Sequence, residues 1–215
     1  MISATSSQCA ALYTAVKQLY ANSTCLPFHG WHHIEFVYKK SAVFAADLNA
    51  DIPFTQSCAL VHDLNYLARP GTYSAPAEGK RLRQAVLLKT GFDEDQIKQI
   101  ETVIISAETA VRDANISAEA MALADADTLF KVLPTTPLLF TTRFIEQNNY
   151  SIAKLAQKIV QEQKPLIEQD IYFYSKLAKD RYMGWAKVHL QIWAAVNESL
   201  TDPDIAEILE EAGFK

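Results

Sequence analysis

Glycine and strand-forming patterns are both scarce. With six glycines in 215 residues and no run of alternating β-branched residues long enough for a strand, the chain is expected to be all-α. Cysteine is scarce too. Cys9, Cys25 and Cys58 are odd in number and lie in helical or helix-flanking surroundings, which argues against a disulfide framework and fits a reducing compartment. No apolar run approaches the roughly 20 residues that span a bilayer, and the N-terminal stretch Met1-Ile2-Ser3-Ala4-Thr5 lacks the basic region of a secretory signal. No membrane contact is expected, and the cytoplasm is the expected location. An excess of positive charge is also missing. A formal net charge of -5 and a pI near 5.5 argue against binding to duplex nucleic acid, which calls for a basic face.

What is present is the composition of one soluble domain with a sizeable core, 49% hydrophobic and 21% charged. Residues 1–215 read as a single all-α helical bundle, with no repeat, low-complexity tract or linker. Cys9, Leu12, Tyr13, Val16, Leu19 and Tyr20 recur at the helical period between Ser6 and Asn22. Pro27 breaks the chain, and the next helix is expected to carry His29 and run to about Asn49, with Phe36, Val37, Phe44 and Leu48 inward. Asp51 caps a helix with Pro53 in its first turn, expected to reach about Leu67. Arg69 to Pro76 is the clearest loop. A helix with Glu78, Lys80, Arg81 and Arg83 follows and stops at Gly91; Asp93 and Gln96 are spaced as a capping box; Ser117 caps the helix that carries Asp125 and Asp127. Beyond Pro134 and Pro137, helices are expected over 140–147, 152–163, 167–179 and 185–200, with Asp202-Pro203 opening a last short one closed by Gly213.

Four of the five histidines fall between Phe28 and Asp63. On a helix, His29 and His33 would share one face, and His62-Asp63 ends an apolar run about thirty residues later. Polar groups at the end of a buried helix are costly unless something satisfies them, and a bound cation satisfies several at once. The bland reading of His62, a core imidazole held by its neighbour's carboxylate, is about as good for that residue alone. The ordered set favours the metal: a histidine pair, a His-Asp, and then Ala124-Asp125-Ala126-Asp127-Thr128-Leu129. Asp125 and Asp127 point roughly 200° apart on a helix, so one ion is not expected to take both. Neutral imidazoles and carboxylates suit first-row divalent ions. His189 lies in an apolar helix with Trp185, Val188, Ile192 and Trp193 and reads as a core histidine.

These residues resemble the HD-domain metal-dependent phosphohydrolases, whose pattern is a histidine, then His-Asp, then a distant aspartate, all on helices. His33, His62, Asp63 and Asp127 fit it in order, and the Ala-Asp-x-Leu pattern of that family falls on Ala126-Asp127-Thr128-Leu129, leaving Asp125 as the alternative. Phe28-His29-Gly30-Trp31-His32-His33 is also similar to a signature of the cyclic-nucleotide phosphodiesterases, in which the second histidine binds metal and the first donates a proton. The resemblance spans about 25–135; the helices over about 138–213 match nothing in it. It implies an HD-type bundle holding one divalent ion, Mn, Fe, Co, Ni, Zn or Mg, with His29 as general acid and Glu78 orienting water, although the residues around Glu78 in that family's pattern are absent here.

The expected reaction is hydrolysis of a small phosphorylated substrate, possibly a nucleotide, by water activated at the ion. Arg69, Lys80 and Arg81, on or near the loop after Asp63, are candidate phosphate partners. Two other classes fit the same residues: a non-catalytic metal- or nucleotide-binding module, and a di-iron oxygenase. The second needs further histidines, and only His32 and His189 remain.

Overall fold

The computed structural model describes residues 3–23, 26–68 and 76–213. Among them are eleven α-helices and no strand: α1 (Ser6–Ala21), α2 (Trp31–Asp47), α3 (Ile52–Val61), α4 (Asn65–Ala68), α5 (Pro76–Lys89), α6 (Glu94–Ala107), α7 (Ala118–Val132), α8 (Thr136–Asn148), α9 (Ile152–Glu168), α10 (Lys176–Ser199) and α11 (Pro203–Glu211), with a 3-10 turn at Thr109–Val111. The all-α bundle expected from the sequence is what forms. Arg69 and most of the loop that contains it, like Cys25, lie outside the described residues.

The centre is α3. Asp51 Oδ1 accepts from the Phe54 amide at 2.8 Å and Pro53 stands where no amide is needed, so the helix starts sharply. It is apolar nearly all round, and Phe54, Cys58, Ala59, Leu60 and Val61 are all buried, as befits a helix packed on every side. The hydroxyls of Thr55 and Ser57 donate back to the carbonyls of Asp51 and Pro53, both at 2.7 Å, so they can be buried without cost. Helices α1, α2, α6 and α7 surround it, and α10 packs on α7 and α2. The main core therefore includes Leu166, Tyr172, Phe173, Ala178 and Ala186 from the last third of the chain, while Leu155, Ala156 and Trp193 form a smaller cluster between α9 and α10.

Three expected boundaries move. Helix α2 begins at Trp31, with Gly30 as its extended N-cap, so His29 precedes the helix. Pro27 and the tight bend up to Gly30 account for this: a Cβ at Gly30 would lie 2.7 Å from the Leu26 carbonyl oxygen. The helix expected to run on to about Leu67 stops at Val61, and a turn through His62, Asp63 and Leu64 separates it from α4. In the C-terminal third the break falls at 169–175, and α10 then runs unbroken from Lys176 to Ser199. Periodicity missed this because Tyr172 and Phe173 are buried like a helical face. The chain turns there because Asp170 takes up a left-handed φ of 57 and because Ser175 caps α10, its hydroxyl accepting from Ala178 N at 3.1 Å.

Asp125 holds that turn in place. Buried on α7, its two oxygens accept from Tyr174 N at 2.7 Å and Ser175 N at 2.8 Å. Asp125→Ala leaves two buried amides unpaired and should lower stability to urea by roughly 2–4 kcal/mol, with metal uptake unchanged. Loss of metal uptake together with unaltered stability would contradict the structural role.

Candidate metal centre

Helix α2, the end of α3 with the turn after it, and α7 bring four side chains together, three of which, His33, His62 and Asp127, are all mutually close. His33 is fully buried in the first turn of α2, His62 is the residue at which α3 ends, Asp63 follows in the turn, and Asp127 lies in α7. His33 Nε2 is 3.1 Å from Asp63 Oδ2, 3.2 Å from His62 Nε2 and 3.5 Å from Asp127 Oδ1. His62 Nε2 is 3.1 Å from the same Asp63 oxygen. An imidazole nitrogen has a single in-plane lobe, so a hydrogen bond serves one of these neighbours at a time. A cation between them serves all. Metal–ligand distances of about 2.0–2.2 Å place adjacent ligand atoms about 2.8–3.6 Å apart, from an octahedral to a tetrahedral edge, and every separation above falls in that interval. His33, His62 and Asp127 also each offer an atom within 4.8 Å of the other two. The donor set fits a first-row divalent ion.

His62 is oriented for coordination. Its Nδ1 lies 2.8 Å from the Ala59 carbonyl oxygen, which can only accept, so in the neutral ring Nδ1 carries the hydrogen and Nε2 turns a lone pair toward the cluster. His33 has no such support: its Nδ1 is buried without a protein partner among the described residues. Packing holds it instead, edge-on to Phe130 at 4.7 Å and stacked toward Phe28 at 6.1 Å.

The charges are strongly coupled. Burial opposes ionisation of Asp63, but His62 and the hydrogen bonds from both imidazoles outweigh it and hold the carboxyl well below its usual range. Burial opposes ionisation of Asp127 as well, and Lys131 with the two imidazoles brings it down to about 2. For His62, burial disfavours the charged ring, yet Asp63 and Asp127 overcome this and push it up to about 9. The metal-free cluster therefore retains both carboxylates and holds a proton on His62.

Lys131, one turn beyond Asp127, places Nζ 2.6 Å from Asp127 Oδ2 and 3.3 Å from Thr109 Oγ1. Its i+4 spacing from Asp127 was visible in the sequence, and sequence reasoning passed over it. Asp125 faces α10, as described above, so of the two aspartates only Asp127 reaches the cluster.

The remaining sequence candidates divide. His29 lies beside the cluster although it is off the helix, its ring 5.8 Å from that of His33 and stacked on Tyr66 at 3.6 Å with the planes 6° apart. Burial pushes its pKa down to about 3. Glu78 sits half-buried in the first turn of α5, and Lys80 and Arg81 are exposed on the same helix. None of these three lines the cavity next to the cluster, whereas Arg83 does; it is buried and makes two hydrogen bonds of 2.9 Å to Glu101. The helical period carries Lys80 and Arg81 outward and Arg83 inward. His32 is exposed and stacks on Phe140 at 5.2 Å, and His189 is buried beside Trp193, its pKa pushed down to about 4 by burial. Neither joins the cluster.

The cavity has a volume of about 480 Å³. His29, His62, Asp63, Asp127 and Lys131 form the part of its polar wall nearest the cluster, with Arg83, Lys158 and Glu162 also lining it, while Phe140 and Phe144 of α8, Leu155 of α9 and Trp193 of α10 form an apolar part. The C-terminal helices thus build one side of the site, which no local pattern in the sequence announced.

No protein-family model matches the chain by sequence, and neither does any curated protein. Solved structures do match it in fold. A protein from Lactobacillus plantarum superposes with a TM-score of 0.69 at 16% identity, over 92% of this chain and 96% of that one. The Lin1889 protein from Listeria innocua gives 0.58 at 18% identity, over 91% and 96%, and YpgQ of Bacillus subtilis gives 0.57 at 18%, over 92% and 97%. At these identities the likeness establishes the shared all-α fold over nearly the whole chain.

Proposed function

We propose that the protein is a metal-dependent phosphohydrolase of the HD type, acting on a small phosphorylated substrate such as a nucleotide. One observation carries the reading: His33, His62 and Asp127 each offer a ligand atom within 4.8 Å of the other two, with Asp63 Oδ2 3.1 Å from both imidazoles, beside a cavity large enough for a small molecule. His33, His62, Asp63 and Asp127 would hold the ion. When bound, a divalent cation neutralises phosphate charge and lowers the pKa of a water molecule, the two requirements of phosphoester hydrolysis at neutral pH. A single cluster of this kind among the described residues favours one ion and hydrolysis over a di-iron oxygenase. The acidic chain and a cavity of about 480 Å³ favour a small molecule over duplex nucleic acid.

The chain's own groups would position the substrate. Lys131 keeps a cation at the cavity wall for a phosphoryl oxygen, and the apolar surface from Phe140, Phe144 and Trp193 would take the rest of the molecule. His29 has two roles to choose between: the proton donor that the phosphodiesterase resemblance implies and, because burial pushes its pKa down to about 3, a neutral ring that donates a hydrogen bond to a substrate oxygen, which is the role we propose.

Two experiments follow. Because His62 holds a proton up to about pH 9 without metal, binding of Zn or Mn at pH 7.5 should release about one proton per ion and progressively fewer as the pH rises past 9. Indicator-dye titration reads this directly, and release independent of pH would remove His62 from the ligand set. Activity is tested on a panel of phosphomonoesters, phosphodiesters and nucleotides with each metal. His29→Ala should cost roughly 10²-fold in turnover, by a similar factor on p-nitrophenyl and alkyl phosphoesters. A loss confined to the alkyl ester would restore the general-acid role. No hydrolysis of any member by metal-loaded wild type would favour the binding module.

A further inference from the structure

Gln147, near the end of α8, reaches across to the segment before α2. Its Oε1 is 3.0 Å from Phe28 N and 3.2 Å from His29 N, and its Nε2 is 2.5 Å from His29 Nδ1. Backbone amides can only donate, so the atom facing them is the amide oxygen; the opposite orientation would set the side-chain NH2 against two N–H groups. With the oxygen so assigned, the NH2 group faces Nδ1 and donates to it. Nδ1 is then an acceptor without a hydrogen, and the hydrogen of the neutral ring is on Nε2.

We propose that Gln147 is a positioning residue that locks His29 in the Nε2–H tautomer, so that the ring presents a hydrogen-bond donor to the cavity, suited to an anionic oxygen of the substrate or of its leaving group. The purpose rests on the phosphohydrolase reading; the tautomer rests on the hydrogen bonds alone. Other contacts fix the ring in this pose. It lies flat on Tyr66 at 3.6 Å and edge-on to Phe28 at 4.8 Å. Nε2 has no protein hydrogen-bond partner among the described residues, while the ring lines the cavity. The same tautomer keeps His29 out of the coordination set, since a nitrogen that carries hydrogen has no lone pair to give. Its ring is 5.8 Å from that of His33, so without the amide a third imidazole could compete for the ion.

The test is a multiple-bond ¹H–¹⁵N correlation of histidine-labelled full-length protein, metal-free and loaded with Mg. Gln147→Glu keeps an oxygen for the two backbone amides and places a second oxygen at Nδ1, which moves the hydrogen there. Gln147→Met removes the contact. Wild-type His29 should carry its hydrogen on Nε2, Gln147→Glu on Nδ1, and Gln147→Met should show both forms, with helix content and metal uptake preserved. If a phosphoester is turned over, Gln147→Glu should lower kcat about 10-fold or more while KM stays within about twofold. A wild-type ring with hydrogen on Nδ1 overturns the proposal whether or not either variant folds well, and so does one tautomer shared by all three proteins when helix content is preserved. Absence of hydrolysis alongside the expected spectra would count against the phosphohydrolase reading and leave the tautomer standing.

Discussion

Two carboxylates and two imidazoles drawn together inside a helical protein are the constraint on which the rest of the structure depends. His33 Nε2 has three polar neighbours within 3.5 Å and one lobe to offer them. Such a cluster is costly unless positive charge enters it. The protein supplies some from Lys131 and from a proton on His62, and a divalent ion would supply more. The elements around the cluster are arranged to hold it together: α3 is buried on all sides so that its C-terminal end is fixed, and α2 and α7 pack together against it.

The two aspartates of α7 show how one helix serves two purposes. Asp127 faces the cluster, and two residues earlier Asp125 faces the opposite way and accepts from the backbone that starts α10. The same helix that presents Asp127 to the cluster therefore docks the C-terminal third, and that third returns Phe144 and Trp193 to the cavity wall and Gln147 to the ring of His29. Site and scaffold are joined through α7, and the orientation of His29 is set by a residue 118 positions away in the chain.

Much of this was legible locally. The caps at Asp51, Asp93 and Ser117 and the all-α character follow from period and capping chemistry, whereas Asp127 was set beside His33, His62 and Asp63, ahead of Asp125, by the resemblance to the HD-domain family. The misplacements have local causes that tertiary contacts decide. Gly30 permits a close approach to Leu26 that pushes the start of α2 past His29. The break before α10 lies in a run whose aromatics are buried as a helix would bury them. Lys80 and Arg81 are as basic as Arg83, and only the phase of α5 against the core turns Arg83 inward. Gln147 was beyond reach because its partners are long-range and a glutamine carries no motif.

The central claim, that the cluster is a metal site built from two imidazoles and two carboxylates, is tested most directly by X-ray absorption at the metal edge on protein loaded with Mn or Co. The expected spectrum has one ion per chain in a nitrogen and oxygen shell at about 2.1 Å, with outer-shell scattering from two imidazole rings that falls to one in His62→Ala. A spectrum without imidazole scattering, or one unchanged by His62→Ala and by Asp127→Asn, would contradict it.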